Sequence, residues 1–190
     1  MKVPFITIVS GLPRSGTSMM MQAIEAGGIP ALTDNIRKKD EDNPKGYYEF
    51  EAVKKTKDNS SWVPSAQGKV VKMVYILLYD LPDDYEYRVI FMRRNMDEVL
   101  ASQKIMLERS GKQGAKISDE KLAALFNTQL AKLDHWIADR KNFSILPVNH
   151  QDMITSPKVQ CERINKFLGG VLDVDAAAEI VNPALYRNRT

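Results

Sequence analysis

At 190 residues the chain is long enough for one domain with a full hydrophobic core and short for two. Hydrophobic residues make up 44% and charged residues 27%, the balance of an ordinary globular protein, which excludes a disordered chain. A net charge of +3, from 27 Lys+Arg against 24 Asp+Glu, is too small an excess to point to nucleic acid.

Strand and helix signals alternate along the chain. Val3–Val9 is rich in β-branched residues without polar alternation and reads as a buried parallel strand. GLPRSGTS follows, and Gly16–Ala26 reads as a helix that stops at Gly27-Gly28 with Pro30 beyond. A polar loop over residues 33–46 contains RKKDEDNPKG, with Asn43-Pro44 and Gly46 marking a turn. Glu49–Asn59 reads as a short surface helix and Lys69–Leu78 (KVVKMVYILL) as a second strand. Tyr87–Met92 gives a third strand, ending in Arg93-Arg94; Asn95 caps a helix over Met96–Arg109. Ser118 caps a long helix to Arg140 with Leu122, Leu125, Phe126, Leu130, Leu133 and Ile137 on one face. Phe143–Val148 is a fourth strand, helices follow at about 152–168 and 174–181, and residues 182–190 form a polar tail.

This alternation predicts a single α/β domain over 1–190, with a mostly parallel sheet of about four or five strands and helices on both faces, of the P-loop NTPase-like kind. The lone cysteine, Cys161, excludes an internal disulfide or a cysteine-rich zinc site and is read as a small buried side chain. The two histidines lie far apart in the sequence, so no metal site is predicted. No run reaches about 18 apolar residues, and the N-terminal run lacks a small-residue cleavage site. The expectation is a cytoplasmic protein with no membrane span.

In open α/β sheets ligands bind at the carboxyl ends of the strands. There the glycines of Gly11–Ser18 let backbone N–H groups converge on an anion, and the helix that follows adds its positive end. Arg14 supplies a planar cationic fork, while Ser15, Thr17 and Ser18 supply hydroxyls. Gly11 and Gly16 keep the spacing of the nucleotide loop GxxxxGK[ST], but Thr17 stands in the lysine position. A γ-phosphate would lose its main point charge, and only Asp80 is a candidate for the magnesium-holding acid.

On these residues the chain resembles the sulfotransferases that use 3′-phosphoadenosine 5′-phosphosulfate (PAPS). GLPRSGTS is similar to their 5′-phosphosulfate loop in the arginine form of tyrosylprotein and bacterial members. VIFMRRNMDEVLASQ is similar to the 3′-phosphate motif, an arginine at a strand end and a serine eight residues on, which Arg94 and Ser102 match. Arg93, one residue earlier, is expected to face the other way and act structurally. NHQDMITSPKVQCERINKFLG and DEDNPKGYYEF resemble two further segments of the family, so the likeness covers most of the chain. It implies cofactor contacts by Gly11, Pro13, Arg14, Ser15, Gly16, Thr17, Ser18, Arg94, Ser102 and His150, the last standing where the family has an adenine-contacting tyrosine. The implied products are a sulfated hydroxyl or amine acceptor, small molecule or peptide, and 3′-phosphoadenosine 5′-phosphate (PAP).

The departures bear on catalysis. Cytosolic members carry Lys-x-His on the second strand, with histidine as base; here Lys72 is present and Val74 takes the histidine position. The C-terminal glycine–lysine phosphate segment is absent, with Arg187 and Arg189 as possible replacements, and Met19 holds the adenine-stacking tryptophan position. Arg14 and Lys72 are assigned to the leaving phosphate and sulfuryl oxygens. Glu49 is the candidate general base, with Asp34 as runner-up. Tyr47, Tyr48, Trp62 and the methionines opening the first helix are candidates for an apolar acceptor wall. A P-loop kinase or NTPase-like enzyme and a non-catalytic nucleotide-binding protein are the alternatives. Oligomeric state and acceptor identity are not legible.

Overall fold

The seven residues Phe5–Gly11 (β1) are buried from end to end, as a strand covered on both faces must be. The computed structural model that shows this describes residues 5–34, 36, 47–109, 111 and 117–181. Most of the loop expected over 33–46, and the tail 182–190 with Arg187 and Arg189, lie outside the described residues.

Val70–Lys72 (β2), Glu86–Arg93 (β3) and Phe143–Asn149 (β4) complete a four-stranded sheet in the order β2-β1-β3-β4, every pair parallel. The register brings Gly11 beside Met92 and Arg93 beside Asn149, so the carboxyl ends of three strands finish level. The helices are Thr17–Ala26 (α1), Met96–Arg109 (α2), Asp119–Ala138 (α3), His150–Thr155 (α4), Pro157–Phe167 (α5) and Val174–Glu179 (α6).

Successive strand residues serve opposite faces of the sheet. Ile6, Ile8, Val71, Val89 and Phe91 join Leu133 and Ile137 of α3, Val99 of α2, and Trp62 and Val63 in one cluster. Phe5, Val9, Ile90, Met92 and Val148 join Met20, Met21 and Ile24 of α1 with Met153, Cys161, Ile164 and Ala177 in the other. Cys161 is thus a buried core residue, its thiol pushed up to about 11 by burial.

Four elements differ from expectation. The strand over Lys69–Leu78 stops at Lys72, and Tyr75–Asp80 winds into a 3₁₀ helix. A short apolar run suits a strand or a buried helix equally by periodicity. The helix over Glu49–Asn59 is a 3₁₀ turn, Glu51–Lys55. The helix at 152–168 breaks at Ser156, which leaves helical geometry ahead of Pro157 because proline crowds the residue before it out of the α region. On α3 only Leu130, Leu133 and Ile137 are buried, whereas Leu125 is 45% exposed, since the amino-terminal half of the helix carries less of the core contact.

Leu133→Ala should therefore cost about 2–5 kcal/mol of stability, and Leu125→Ala no more than about 0.5 kcal/mol. Urea unfolding followed by circular dichroism reads both; equal losses would contradict this placement of α3.

Candidate active site

A cleft of about 500 Å³ opens along the carboxyl edge of the sheet, a size suited to small-molecule ligands. It is lined by Gly11, Pro13, Arg14, Gly16, Thr17, Ser18, Glu49, Lys72, Arg94, Ser102 and His150. Of the residues assigned above to cofactor contact, to charge stabilisation and as first candidate for the base, all but Ser15 therefore meet in one place.

The exception is Ser15. Its hydroxyl is buried and points back at the β1 end: a Cβ built on Gly11 would lie 2.6 Å from Ser15 Oγ and 2.8 Å from the Met92 carbonyl. Its backbone N–H donates to the Leu12 carbonyl at 3.2 Å. Ser15 shapes the turn from behind. Gly16 has φ 98° and caps α1 without a side-chain hydrogen bond. Thr17 and Ser18 open the helix at its positive end.

Arg14 has a left-handed backbone, φ 70°, a conformation that β-carbons disfavour. It is held from the neighbouring strand and helix. Arg94 Nη1 donates to the Arg14 carbonyl at 3.1 Å, and Arg14 Nε donates to Ser102 Oγ at 2.9 Å. Arg94 Nε in turn donates to Glu98 Oε2 at 2.7 Å, in a pair whose side chains are only 9% and 6% exposed. The residues expected to grip one phosphate thus form a chain that reaches the glycine loop. Arg93 turns away, donating to Asp134 at 2.6 Å and stacking on Phe91.

Lys72, at the end of β2, donates to Ser18 Oγ at 3.4 Å and to the Tyr47 carbonyl. Its ammonium lies 5.9 Å from the centre of the Tyr47 ring. Glu49 pairs with Lys54 at 3.3 Å. Asp34 is bound instead to backbone: its carboxylate accepts from the Glu51 N–H at 2.6 Å and the Ile36 N–H at 3.1 Å, and the Glu51 bond first of all lowers its pKa. Asp34 does not line the cleft. Tyr47 and Met19 do, whereas Tyr48 donates its hydroxyl to Glu25 at 2.7 Å and Trp62 lies in the core with its indole N–H on Thr56.

His150 begins α4 directly at the end of β4, with Asn149 capping the helix. The ring is so close to the loop that a Cβ on Gly16 would lie 2.5 Å from His150 Cδ2. Burial, and then the nearby Arg94 cation, push its pKa down to about 4. The ring is neutral at neutral pH.

Sequence reasoning missed Glu98 and the apolar part of the lining: Phe50, Val53, Met73, Leu77, Ile105 and Met106. The four-residue spacing of Arg94 and Glu98 is a readable helix-pair signal. The apolar lining carries no local signal, because any of its members serves equally as core.

No family model matches the sequence, and no curated protein matches it. Solved structures do. A sulfotransferase from Alicyclobacillus acidocaldarius is 14% identical, with 87% of this chain and 81% of that one covered at a TM-score of 0.51. The sulfotransferase domain from the curacin biosynthetic pathway is 13% identical, over 100% of this chain and 93% of that one, also at 0.51. A sugar kinase from a Janibacter species is 14% identical over 94% and 96% of the two chains at a TM-score of 0.43, too low to argue from. The four-stranded parallel α/β fold is thus shared with sulfotransferases. Among the described residues no helix is long and apolar enough to cross a membrane.

The low pKa of His150 sets a pH dependence. Between about 4 and its ordinary 6.5 the unfolded chain takes up a proton that the folded protein refuses, so this group makes stability rise with pH across that window. Histidine carbon shifts followed by NMR should show one of the two residues titrating near 4. His150→Gln should flatten the urea-midpoint slope between pH 4 and 6.5, and an unaltered slope would refute the burial argument.

Proposed function

We propose that the chain is a sulfotransferase that moves the sulfuryl group of PAPS to a hydroxyl or amine acceptor. One observation carries the reading. The glycine loop after β1, with Thr17 in the lysine position, opens into the same cleft as Arg94, just past β3, and Ser102 of α2. Two anion subsites side by side suit a nucleotide charged at its 5′ and 3′ positions better than a linear triphosphate.

The donor set fits such a molecule. The first-turn amides and hydroxyls of Thr17 and Ser18, with Arg14, would hold the 5′-phosphosulfate. Ser102 accepts from Arg14 through its oxygen, and its own O–H is a donor suited to a 3′-phosphate beside Arg94. The neutral His150 ring, packed against Gly16, would meet the nucleoside as a flat, uncharged surface.

PAPS supplies an activated sulfuryl group, and transfer then depends on alignment and on stabilising charge, as in phosphoryl transfer. Lys72 is placed for the second task, its ammonium within reach of Ser18 at the mouth of the loop. Glu49 is the carboxylate proposed to take the acceptor's proton.

Calorimetry should show PAP binding without magnesium at least about tenfold tighter than ATP. Ser102→Ala should reduce the preference for PAP over adenosine 5′-phosphate about tenfold, the scale of one hydrogen bond to a charged group. Tighter binding of magnesium–ATP would replace this reading with the kinase-like alternative.

Lys72→Met should lower kcat by about 10²–10³-fold, as loss of one transition-state donor does, with PAP affinity changed far less. Full turnover by Glu49→Gln would remove Glu49 as the base.

A further inference from the structure

We infer that Gln22 reads the base of the bound nucleotide, pairing through its carboxamide with the amino edge of adenine. This rests on the proposed donor and adds a specificity-determining residue that lies outside the loop and strand-end motifs.

The side chain is costly where it stands. Met20, Met21, Ala23 and Ile24, its neighbours in α1, pack into the apolar cluster on their face of the sheet. Gln22 is buried among them, only 8% exposed, and lines the cleft. Its carboxamide bonds to none of the described residues. A buried amide without a partner is a penalty that leucine or methionine would avoid at the same position. A ligand that supplies the partner removes that penalty.

Helix geometry puts the carboxamide at the right remove from the loop. Thr17, Ser18, Met19 and Gln22 are the α1 residues that line the cleft, and Ser18 and Met19 share a flank with Gln22 at spacings of four and three. Gln22 lies about 7.5 Å along the axis from Thr17, and helical side chains lean toward the amino end. With a phosphate on the first-turn amides, the part of a nucleotide that lies a ribose away is its base.

The surroundings suit a flat heterocycle. Met19 packs against the apolar cluster that contains Ile154, and His150 stands one turn before Ile154 on α4. All three line the cleft, with Ile180. Thioether, aliphatic and neutral imidazole groups cover the faces of a ring. A carboxamide meets its edge, presenting N–H donors beside an acceptor oxygen. That pair matches the amino group and neighbouring ring nitrogen of adenine in two hydrogen bonds. The corresponding edge of guanine carries two acceptors and leaves the Gln22 carbonyl unpaired.

The test is calorimetry on the full chain with PAP, guanosine 3′,5′-bisphosphate and purine riboside 3′,5′-bisphosphate, which lacks the amino group. PAP should bind at least about tenfold tighter than either, the scale of one bidentate base contact. Gln22→Met keeps the length and helix preference of the side chain. It should bring the three ligands within about threefold of one another, chiefly by weakening PAP. In NMR of the unaltered protein, the Gln22 side-chain amide protons should move downfield with PAP and not with the guanosine compound, a readout that needs no variant. Equal affinities, unmoved amide protons, or a Gln22→Met protein that prefers PAP as before overturns the inference. If PAP fails to bind, the donor assignment falls, and ATP against GTP puts the same question to Gln22. A preference for ATP that Gln22→Met removes then sustains the inference, and its absence overturns it.

Discussion

The site depends on Arg14 being held in a backbone conformation that arginine alone would not choose. A left-handed residue with a β-carbon costs roughly 1–2 kcal/mol, and here the cost is offset by hydrogen bonds from outside the loop. Arg94 fixes the Arg14 carbonyl and Ser102 fixes its guanidinium. Arg94 follows β3, the strand paired with β1, and Ser102 lies on α2. The turn after β1 and the start of α2 are therefore one structural unit, and neither has its shape without the other. Glu98 completes the unit by orienting Arg94 in a pair that is almost wholly buried. Such a pair is weak as a source of stability but strongly resists losing one member.

Geometry on the β2 side is set by a different set of ties. The segment Tyr47–Phe50 is bound to β2 through Lys72 and the Tyr47 carbonyl, and to α1 through Tyr48 and Glu25. It is bound to the chain after α1 through Thr33, whose hydroxyl donates to the Glu49 carbonyl at 2.8 Å. Tyr48 has φ 54°, a second non-glycine residue in left-handed backbone, and it turns the chain so that Tyr47 and Glu49 face the cleft while its own ring packs on the α1 side. The two strained residues flank the cleft and carry its two walls.

Much of this was legible in the sequence where a local rule was strong. The strand–glycine–helix order, the Asn95 and Ser118 caps, and the eight-residue spacing of Arg94 and Ser102 each follow from chemistry confined to a few neighbours. What was not legible depended on packing between distant segments. KVVKMVYILL is apolar apart from its two lysines, and only its pairing with Thr7–Val9 shows that the strand ends at Lys72. Leu125 falls on the same broad apolar stripe as Leu133, yet the core contact of α3 is carried by its other half. Ser15 is one hydroxyl among three in the loop, and only the closeness of Gly11 to Met92 sends it behind the turn. Glycine there answers to internal packing as much as to a ligand.

The shortness of β2 has the widest chemical reach. Because the strand ends after three residues and the chain turns into a 3₁₀ helix from Tyr75, the residues that line the cleft just beyond Lys72 are Met73, Val74 and Leu77, none of which can carry a proton. The carboxylate that lines the cleft, Glu49, comes from another segment, with Lys54 beside it. In the proposed transfer the charge-stabilising group, Lys72, and the proton acceptor, Glu49, would thus come from separate segments, with Lys72 close to the loop. Phe50, Val53 and Leu77 line the same cleft, so the two polar groups stand among apolar side chains, where a charge is screened less than in water.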